Sequence, residues 1–266
     1  MGAVDQSDID ARIQVYYGDL FDEDARLTTR SPQGPLEFQR TQEVIRLNAP
    51  VGRLLDIGGG TGVHSRALLA AGYDVELIEP VQRHVEAARD AGIDAQLGDA
   101  RDLPVGDASF GAALLLGPLY HLASAADRQQ ALSEAARVLR PGGMLFAAGL
   151  SRHVAFAGLS LGQTIPEQIP DDWSALFVDG APSRRLRFPA GHYHTADELQ
   201  DEVSKAGFEV LDVIGVEGPA GPLLEAIPDA SQDLSDAALE VARAASSVPG
   251  IREQSAHLLA IGRSPA

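Results

Sequence analysis

The sequence predicts an α/β fold, a mostly parallel sheet with helices on both faces, from three observations. From Arg53 onward, short apolar runs alternate with helical stretches. Several of those runs are apolar at consecutive positions, as "FGAALLLG" (Phe110–Gly117) is. Such strands are buried on both faces, the condition of parallel strands joined by crossover helices. Third, Gly58, Gly59, Gly60 and Gly62 fall between the first apolar run and the first helix of the alternation. In open α/β sheets ligands bind there, outside the carboxyl ends of the strands.

The first fifty residues carry no strand pattern and read as helices, with Tyr16-Tyr17 and Leu36-Glu37-Phe38 as contact points. Arg53–Ile57 is the first strand, and a helix follows from about Val63 to Ala71, closed by Gly72. Val75–Ile78 is the second strand, followed by a helix over Val81–Asp90 that ends at Ala91-Gly92. Asp94–Ala100 makes a shorter strand and Phe110–Gly117 a fully apolar one. Arg128–Leu139 reads as a helix with Leu132, Ala135, Ala136 and Leu139 on one face, stopped by "RPGG". Met144–Leu150 is the fifth strand. Four prolines, Trp173 and the arginines Arg184, Arg185 and Arg187 then break the rhythm, as an insertion over the strand ends would. Thr195, with Glu198 three residues on, has the spacing of a capping box and opens a helix to Ala206. Phe208–Val216 and His257–Gly262 are the last strands, with a helical excursion over Ser235–Ser246 between them. The expected organisation is a helical lead-in and lid (1–50), a ligand-binding core (51–150), a cap insertion (151–194) and the rest of the same α/β domain (195–266).

Composition narrows the function classes. The net charge of -17 repels phosphate backbones and anionic membranes, so no nucleic-acid or membrane partner is expected. With no cysteine, disulfides, thiolate metal sites and cysteine nucleophiles are excluded. The acidic amino terminus is no signal peptide, and no run approaches the roughly 20 apolar residues of a membrane span. A cytoplasmic protein is expected.

A dinucleotide loop of the G-x-G-x-x-G kind needs a third glycine where Val63 stands. A phosphate loop needs a lysine that "TGVHS" lacks. Glu79 closes the second strand 21 positions after Gly58, placed to accept from both hydroxyls of a ribose. Asp56 precedes the glycines within "LLDIGGGTG", and Asp99 closes the third strand within "LGDARDLP". Together with "FGAALLLGPLYHL" and "ALSEAARVLRPGGMLFAAG", this series over about Val51–Leu150 resembles the class I S-adenosylmethionine-dependent methyltransferases. The Tyr-Tyr lead-in and "HYHTADELQDEVSKAGFEVLDVIGVEG" look like the bacterial small-molecule, ubiquinone-methylase-like kind.

The resemblance implies a Rossmann-like, seven-stranded sheet of order 3-2-1-4-5-7-6 with the last strand antiparallel. It implies S-adenosyl-L-methionine as cofactor, with S-adenosyl-L-homocysteine as product. Asp56, Gly58 and Gly60 would surround the methionine part, Glu79 the ribose, and Asp99 with Ala100 the adenine. Leu116, at the end of the fourth strand, borders the same space. Tyr16, Tyr17 and Arg40 are placed to close over the cofactor. The reaction implied is methyl transfer to nitrogen or oxygen of a small molecule.

His121 and Tyr120 are the catalytic candidates, His121 as general base or as a neutral ring holding its loop. Gly117-Pro118-Leu119-Tyr120 offers no amide or carboxylate where amine methylases resemble Asn-Pro-Pro-Tyr. Tyr16, Trp173, His192 and His194 are candidates to line the acceptor pocket; the two histidines, on one side of an extended segment, have holding the cap down as their other reading. No metal is expected, because the two histidines lack a third ligand in the sequence. Two other readings stay open: a non-catalytic S-adenosylmethionine-binding protein, and a nicotinamide-dependent oxidoreductase.

Overall fold

The computed structural model describes residues 5–154, 172–182 and 188–265, the side chains of Asp19, Asp172 and Trp173 excepted. Its lead-in consists of α1 (Gln6–Val15), a π-helical turn (Tyr16–Leu20), α2 (Glu23–Thr28) and α3 (Gln33–Asn48). The alternation then runs β1 (Arg53–Ile57), α4 (Val63–Ala70), β2 (Asp74–Glu79), α5 (Gln82–Asp90), β3 (Asp94–Leu97) and β4 (Phe110–Leu115). A 3-10 turn (Pro118–Tyr120), α6 (Ala125–Val138), β5 (Leu139–Leu150) and α7 (Asp172–Asp179) follow. The chain ends with α8 (Ala196–Lys205), β6 (Glu209–Gly215), α9 (Gly221–Ala226), α10 (Gln232–Ala245), a 3-10 turn (Arg252–Gln254) and β7 (His257–Arg263).

The seven strands form one sheet in the order β3-β2-β1-β4-β5-β7-β6. β7 runs antiparallel to both neighbours, and all other pairings are parallel. The order and the single reversed strand are those that the sequence motifs imply. Alternate residues feed two cores, as strand geometry requires. Leu55, Ile57, Ala113, Leu115, Leu145 and Ala147 face one side, beneath α6 and α8. Leu54, Ala112, Leu114, Phe146 and Leu259 face the other, beneath α3 and α4. Truncating a fully buried side chain such as Leu114 to alanine in such a core costs about 2–5 kcal/mol.

The boundaries differ where glycine and proline mislead. "RPGG" does not separate helix from strand, for α6 stops at Val138 and β5 begins at Leu139. The pairing with β4 shifts register between Phe110 and Ala112, and that irregularity absorbs the proline and glycines at the start of β5. β3 ends at Leu97, so Asp99 lies beyond it, in a turn bridged to Asp102. At the start of α8 both bonds of the predicted capping box form: the Thr195 hydroxyl accepts from the Glu198 N–H, and the Glu198 carboxylate accepts from the Thr195 N–H.

After β1, β2 and β3 step outward on one side, the chain returns to place β4 on the other side of β1. The crevice between β1 and β4 is therefore the switch point of the sheet, and it positions the site.

Candidate active site

The carboxyl ends of β1, β2 and β4 open into a cavity of about 260 Å³. Leaving β1, the chain turns through Gly58 (φ 70°), Gly60 (φ 58°) and Gly62 (φ 84°), a region that costs other residues roughly 1–2 kcal/mol each. A Cβ on Gly58 would lie 2.8 Å from Pro118 Cγ, and one on Gly59 would lie 2.6 Å from the Asp56 carboxylate. Glycine thus lets bare backbone pack against both strand ends and leaves the cavity open. Asp56 is buried and accepts from Ser65 Oγ at 2.6 Å. Burial pushes its carboxyl up to about 6, against that hydrogen bond.

Glu79 ends β2, is only 5% exposed, and accepts from the N–H of Gly60 at 3.0 Å and of Val81 at 3.1 Å. Beside it stands His84, which the sequence motifs did not single out. Its Nε2 lies 2.9 Å from the carbonyl oxygen of Tyr17 and donates to it. Its Nδ1 is buried, 3.5 Å from Oε1 of Glu79. Glu79 and His84 thus stand side by side on the cavity wall with polar atoms 3.5 Å apart, a spacing that suits the neighbouring hydroxyls of a ribose. The residues present therefore fit the nucleoside part of S-adenosylmethionine.

Asp99, Ala100 and Leu116 also line this cavity. The Asp99 carboxylate is held by Arg101, at 2.8 Å from Nε and 2.5 Å from Nη2. Arg101 also bonds Asp10 of α1 at 3.0 Å, tying this end of the cavity to the lead-in helix. α1 crosses the opening and is fastened on its other side through Gln6, which bonds the His121 carbonyl and the Ala123 N–H. Gln14 adds a bond to the Pro80 carbonyl at 2.9 Å.

A second cavity of about 550 Å³ adjoins the first. Tyr17, Glu23, Arg26 and Tyr120 line both and form their common boundary, the throat. Arg26 bonds both oxygens of Glu23 and both of Glu37. Behind this pair the buried network continues through Gln33 to Glu217 and His257. Despite its burial, Glu37 is held down at about 2 by Arg26 and His257. Sequence reasoning passed over this network because charged residues on helices ordinarily face water; only the Leu36-Glu37 contact signal touched it.

Tyr16, Tyr17, Tyr120 and His121 come together at the throat. His121 Nε2 is 3.1 Å from the Tyr17 hydroxyl, and Nδ1 is 2.8 Å from the Pro189 carbonyl. Nδ1 therefore carries the proton, and Nε2 accepts from Tyr17. Burial drives this ring down to about 4, so it stays neutral at physiological pH.

Other candidates lie elsewhere. Arg40 does not line the cavity; it is buried on α3 and bonded to Glu43 at 2.8 Å. His192 and His194 line neither cavity. They pack ring to ring with centroids 4.6 Å apart, and His194 bonds Glu202, which Arg128 grips from the other side. The extended segment does turn both rings to one side, but toward α6 and α8 rather than toward the pocket. Glu202 supplies the third group near these histidines that the sequence did not reveal. The guanidinium of Arg128 on that carboxylate makes the cluster an ion-paired anchor for the segment. The Trp173 side chain and Arg184, Arg185 and Arg187 lie outside the described residues.

The comparisons with known proteins bear on the family and the fold. Residues 55–147 match the family model described as a methyltransferase domain. The chain is 31% identical to an O-methyltransferase of Pyrenophora dematioidea over 72% of its own length and 70% of that protein's. It is 35% identical to an O-methyltransferase of Penicillium expansum over 66% of its length, and the match spans 59% of that protein. Among solved structures, a possible histamine N-methyltransferase of Thermotoga maritima superposes with a TM-score of 0.61 at 20% identity, over 96% of this chain and 99% of that one. A Burkholderia thailandensis 1,6-didemethyltoxoflavin-N1-methyltransferase, holding its acceptor and S-adenosylhomocysteine, superposes with a TM-score of 0.58 at 15% identity, over 100% of this chain and 93% of that one.

Proposed function

The chain belongs to the class I S-adenosylmethionine-dependent methyltransferases, and from that premise we propose that it methylates an oxygen of a small molecule seated in the second cavity. The observation that carries the placement is the shared wall of Tyr17, Glu23, Arg26 and Tyr120, which joins the two cavities. The choice of oxygen draws its support from the O-methyltransferase relatives, and from Gly117, where no amide or carboxylate is available to receive an amine.

When bound, S-adenosylmethionine supplies an electrophilic methyl on a sulfonium sulfur. The chain's own residues do the rest. Glu79 and His84 fix the ribose, the Gly58–Gly60 backbone borders the methionine part, and Asp99 takes the adenine edge. α1 and the π-helical turn cover the opening and exclude water, which strengthens every polar contact within. The throat holds donor and acceptor in line, and proximity of this kind supplies most of what a displacement at carbon requires.

His121 acts in this reading by position. A ring held near pKa 4 is a weak base, and its Nε2 is already occupied by Tyr17. Its part is to fix the Tyr17 hydroxyl at the throat, where Tyr120 stays protonated because burial pushes its phenol far up.

The test is a panel of hydroxylated and amine-bearing small molecules incubated with labelled S-adenosylmethionine, with products read by mass spectrometry. Transfer to hydroxyl oxygen is expected. Transfer to amines alone would reverse the choice of atom, and tight S-adenosylhomocysteine binding with no transfer to any acceptor would favour a binding protein. His121→Ala should lower the rate by about tenfold or less; a loss of a hundredfold or more with unchanged cofactor affinity would restore His121 as the base.

A further inference from the structure

The second cavity concentrates aromatic rings and buried charge. Three of the chain's five tyrosines, Tyr16, Tyr17 and Tyr120, line it together with Phe21 and Phe188. Ring centroids are 4.9 Å apart for Tyr16 and Phe21 and 6.0 Å apart for Tyr120 and Phe188, so the rings brace one another into an aromatic wall against which a flat ring can pack. Against this cage stands His257, the first residue of β7. Its Nδ1 lies 2.5 Å from Oε1 of Glu217 and 3.6 Å from Oε2 of Glu37. Glu217 is fully buried and also accepts from the Ser255 hydroxyl, the His257 N–H and the Gln33 amide. A carboxylate fixed in this way sets the direction of the ring and stabilises its protonated form. The ring centroid of His257 is 6.3 Å from that of Tyr120, one of the throat residues.

We propose that this cavity takes a phenol, and that His257, oriented by Glu217, holds the phenol oxygen as an oxyanion beside the throat. The inference rests on the O-methyl transfer reading above. A neutral phenol is a weak nucleophile, whereas its anion attacks carbon readily. As the acceptor ionises, its O–H bond breaks, the electron pair stays on oxygen and the proton leaves to bulk water. His257 keeps its own proton and donates through Nε2.

The groups around the ring set its charge. Glu217 follows β6, Glu37 comes from α3, and Arg26 of α2 is paired with Glu37 and Glu23. Tyr120 adds a neutral phenol, and the Arg30–Glu225 pair stands on the same cavity wall. Burial alone would lower the imidazole, but Glu37 and Glu217 outweigh it and push the ring up to about 9. The resting form at neutral pH is therefore the imidazolium. A cation fixed against an apolar cage favours the ionised over the neutral form of an acidic hydroxyl. Glu37, Glu217 and His257 also lie close enough together to hold a metal ion, but a protonated Nδ1 has no lone pair to give.

The probe is 4-nitrophenol, whose anion is coloured, titrated against pH into protein saturated with S-adenosylhomocysteine; no turnover is needed. Its acid dissociation constant should rise by roughly tenfold or more on binding, equal to one pKa unit. His257→Gln should abolish that gain and Glu217→Gln should reduce it, while calorimetric affinity for S-adenosylhomocysteine stays within about twofold. Four results overturn the inference: no saturable binding of 4-nitrophenol, ionisation no easier when bound than when free, a gain that survives both substitutions, or stoichiometric zinc uptake by the wild type that His257→Gln loses. The wild-type titration decides the matter even if a variant fails to fold. Failure of S-adenosylhomocysteine itself to bind would overturn the methyl-transfer reading instead, and this inference with it.

Discussion

Glu79 shows what a single residue contributes and how it is recognised. Its carboxylate is held by two backbone N–H groups on the cavity wall, so in the proposed role a ribose hydroxyl pair adds charge-assisted bonds without reorganisation. Glu79→Gln, which keeps the shape and removes the charge, should weaken S-adenosylhomocysteine binding by about 1.5–3 kcal/mol, or roughly ten- to a hundredfold. Calorimetry checks this, and unchanged affinity in the folded variant would remove Glu79 from the site. Glu79, Asp56 and Asp99 were legible because each stands at or just past a strand end, at a fixed interval from a glycine turn. His84 was not, because a histidine on the first turn of a helix has no spacing that separates a pocket wall from a solvated face. His192 and His194 left two readings open, pocket wall or anchor, and the structure has the anchor. Their alternation correctly gave one shared side, but a period of two does not say which side is the pocket.

At the scale of elements, the sheet was readable from its apolar runs, whereas the lead-in was readable only as helical. Ile9 is the single buried residue of α1, so no apolar stripe announces where that helix docks. It is fastened by polar bonds instead, from Gln6, Asp10 and Gln14, while the turn after it is held by His84 and Arg83 on the backbone of Tyr17 and Gly18. Polar docking is reversible at low cost, which suits a cover over an opening. Tyr17→Phe removes the bond to His121 and should speed amide hydrogen exchange over residues 6–20 by about three- to tenfold, matching a net loss of about 1 kcal/mol. S-adenosylhomocysteine should slow exchange over the same residues. Exchange that responds to neither change would show the segment to be a fixed wall.

For the whole molecule, buried titrating groups set a stability optimum. Burial lowers His64 and His121 to about 4, below the usual 6.5, so their contribution is complete above pH 6.5 and declines as pH falls from there toward 4. Glu37 and Glu202, each held near 2 against their burial by cationic neighbours, add a second loss below pH 4.5. Asp56, raised to about 6, opposes this trend: its contribution is complete below 3.8 and is lost as pH rises to 6. His257 is raised to about 9, so its contribution is complete below 6.5 and is lost as pH rises through 9. The unfolding free energy should therefore peak near pH 6.5 and fall by roughly 2–3 kcal/mol toward pH 9. Denaturant titrations across that range check the prediction. His257→Gln should flatten the alkaline limb; a limb of unchanged slope would place the responsible group elsewhere.

The π-helical turn that follows α1 contributes Tyr17 to both cavities and Tyr16 to the outer one. One short segment thus lines both cavities, and if the two are the cofactor and acceptor sites proposed above, ligands in both press on it. Ligands that close the same segment must cooperate, and thermodynamic linkage makes the cooperation symmetric: the factor by which one tightens the other's binding is the same in both directions. Saturating S-adenosylhomocysteine should lower the dissociation constant of 4-nitrophenol several-fold, and 4-nitrophenol should lower that of S-adenosylhomocysteine by the same factor. In steady state, such coupling makes a lingering demethylated product tighten its hold on the next acceptor, so high acceptor concentrations should slow turnover by trapping a dead-end pair.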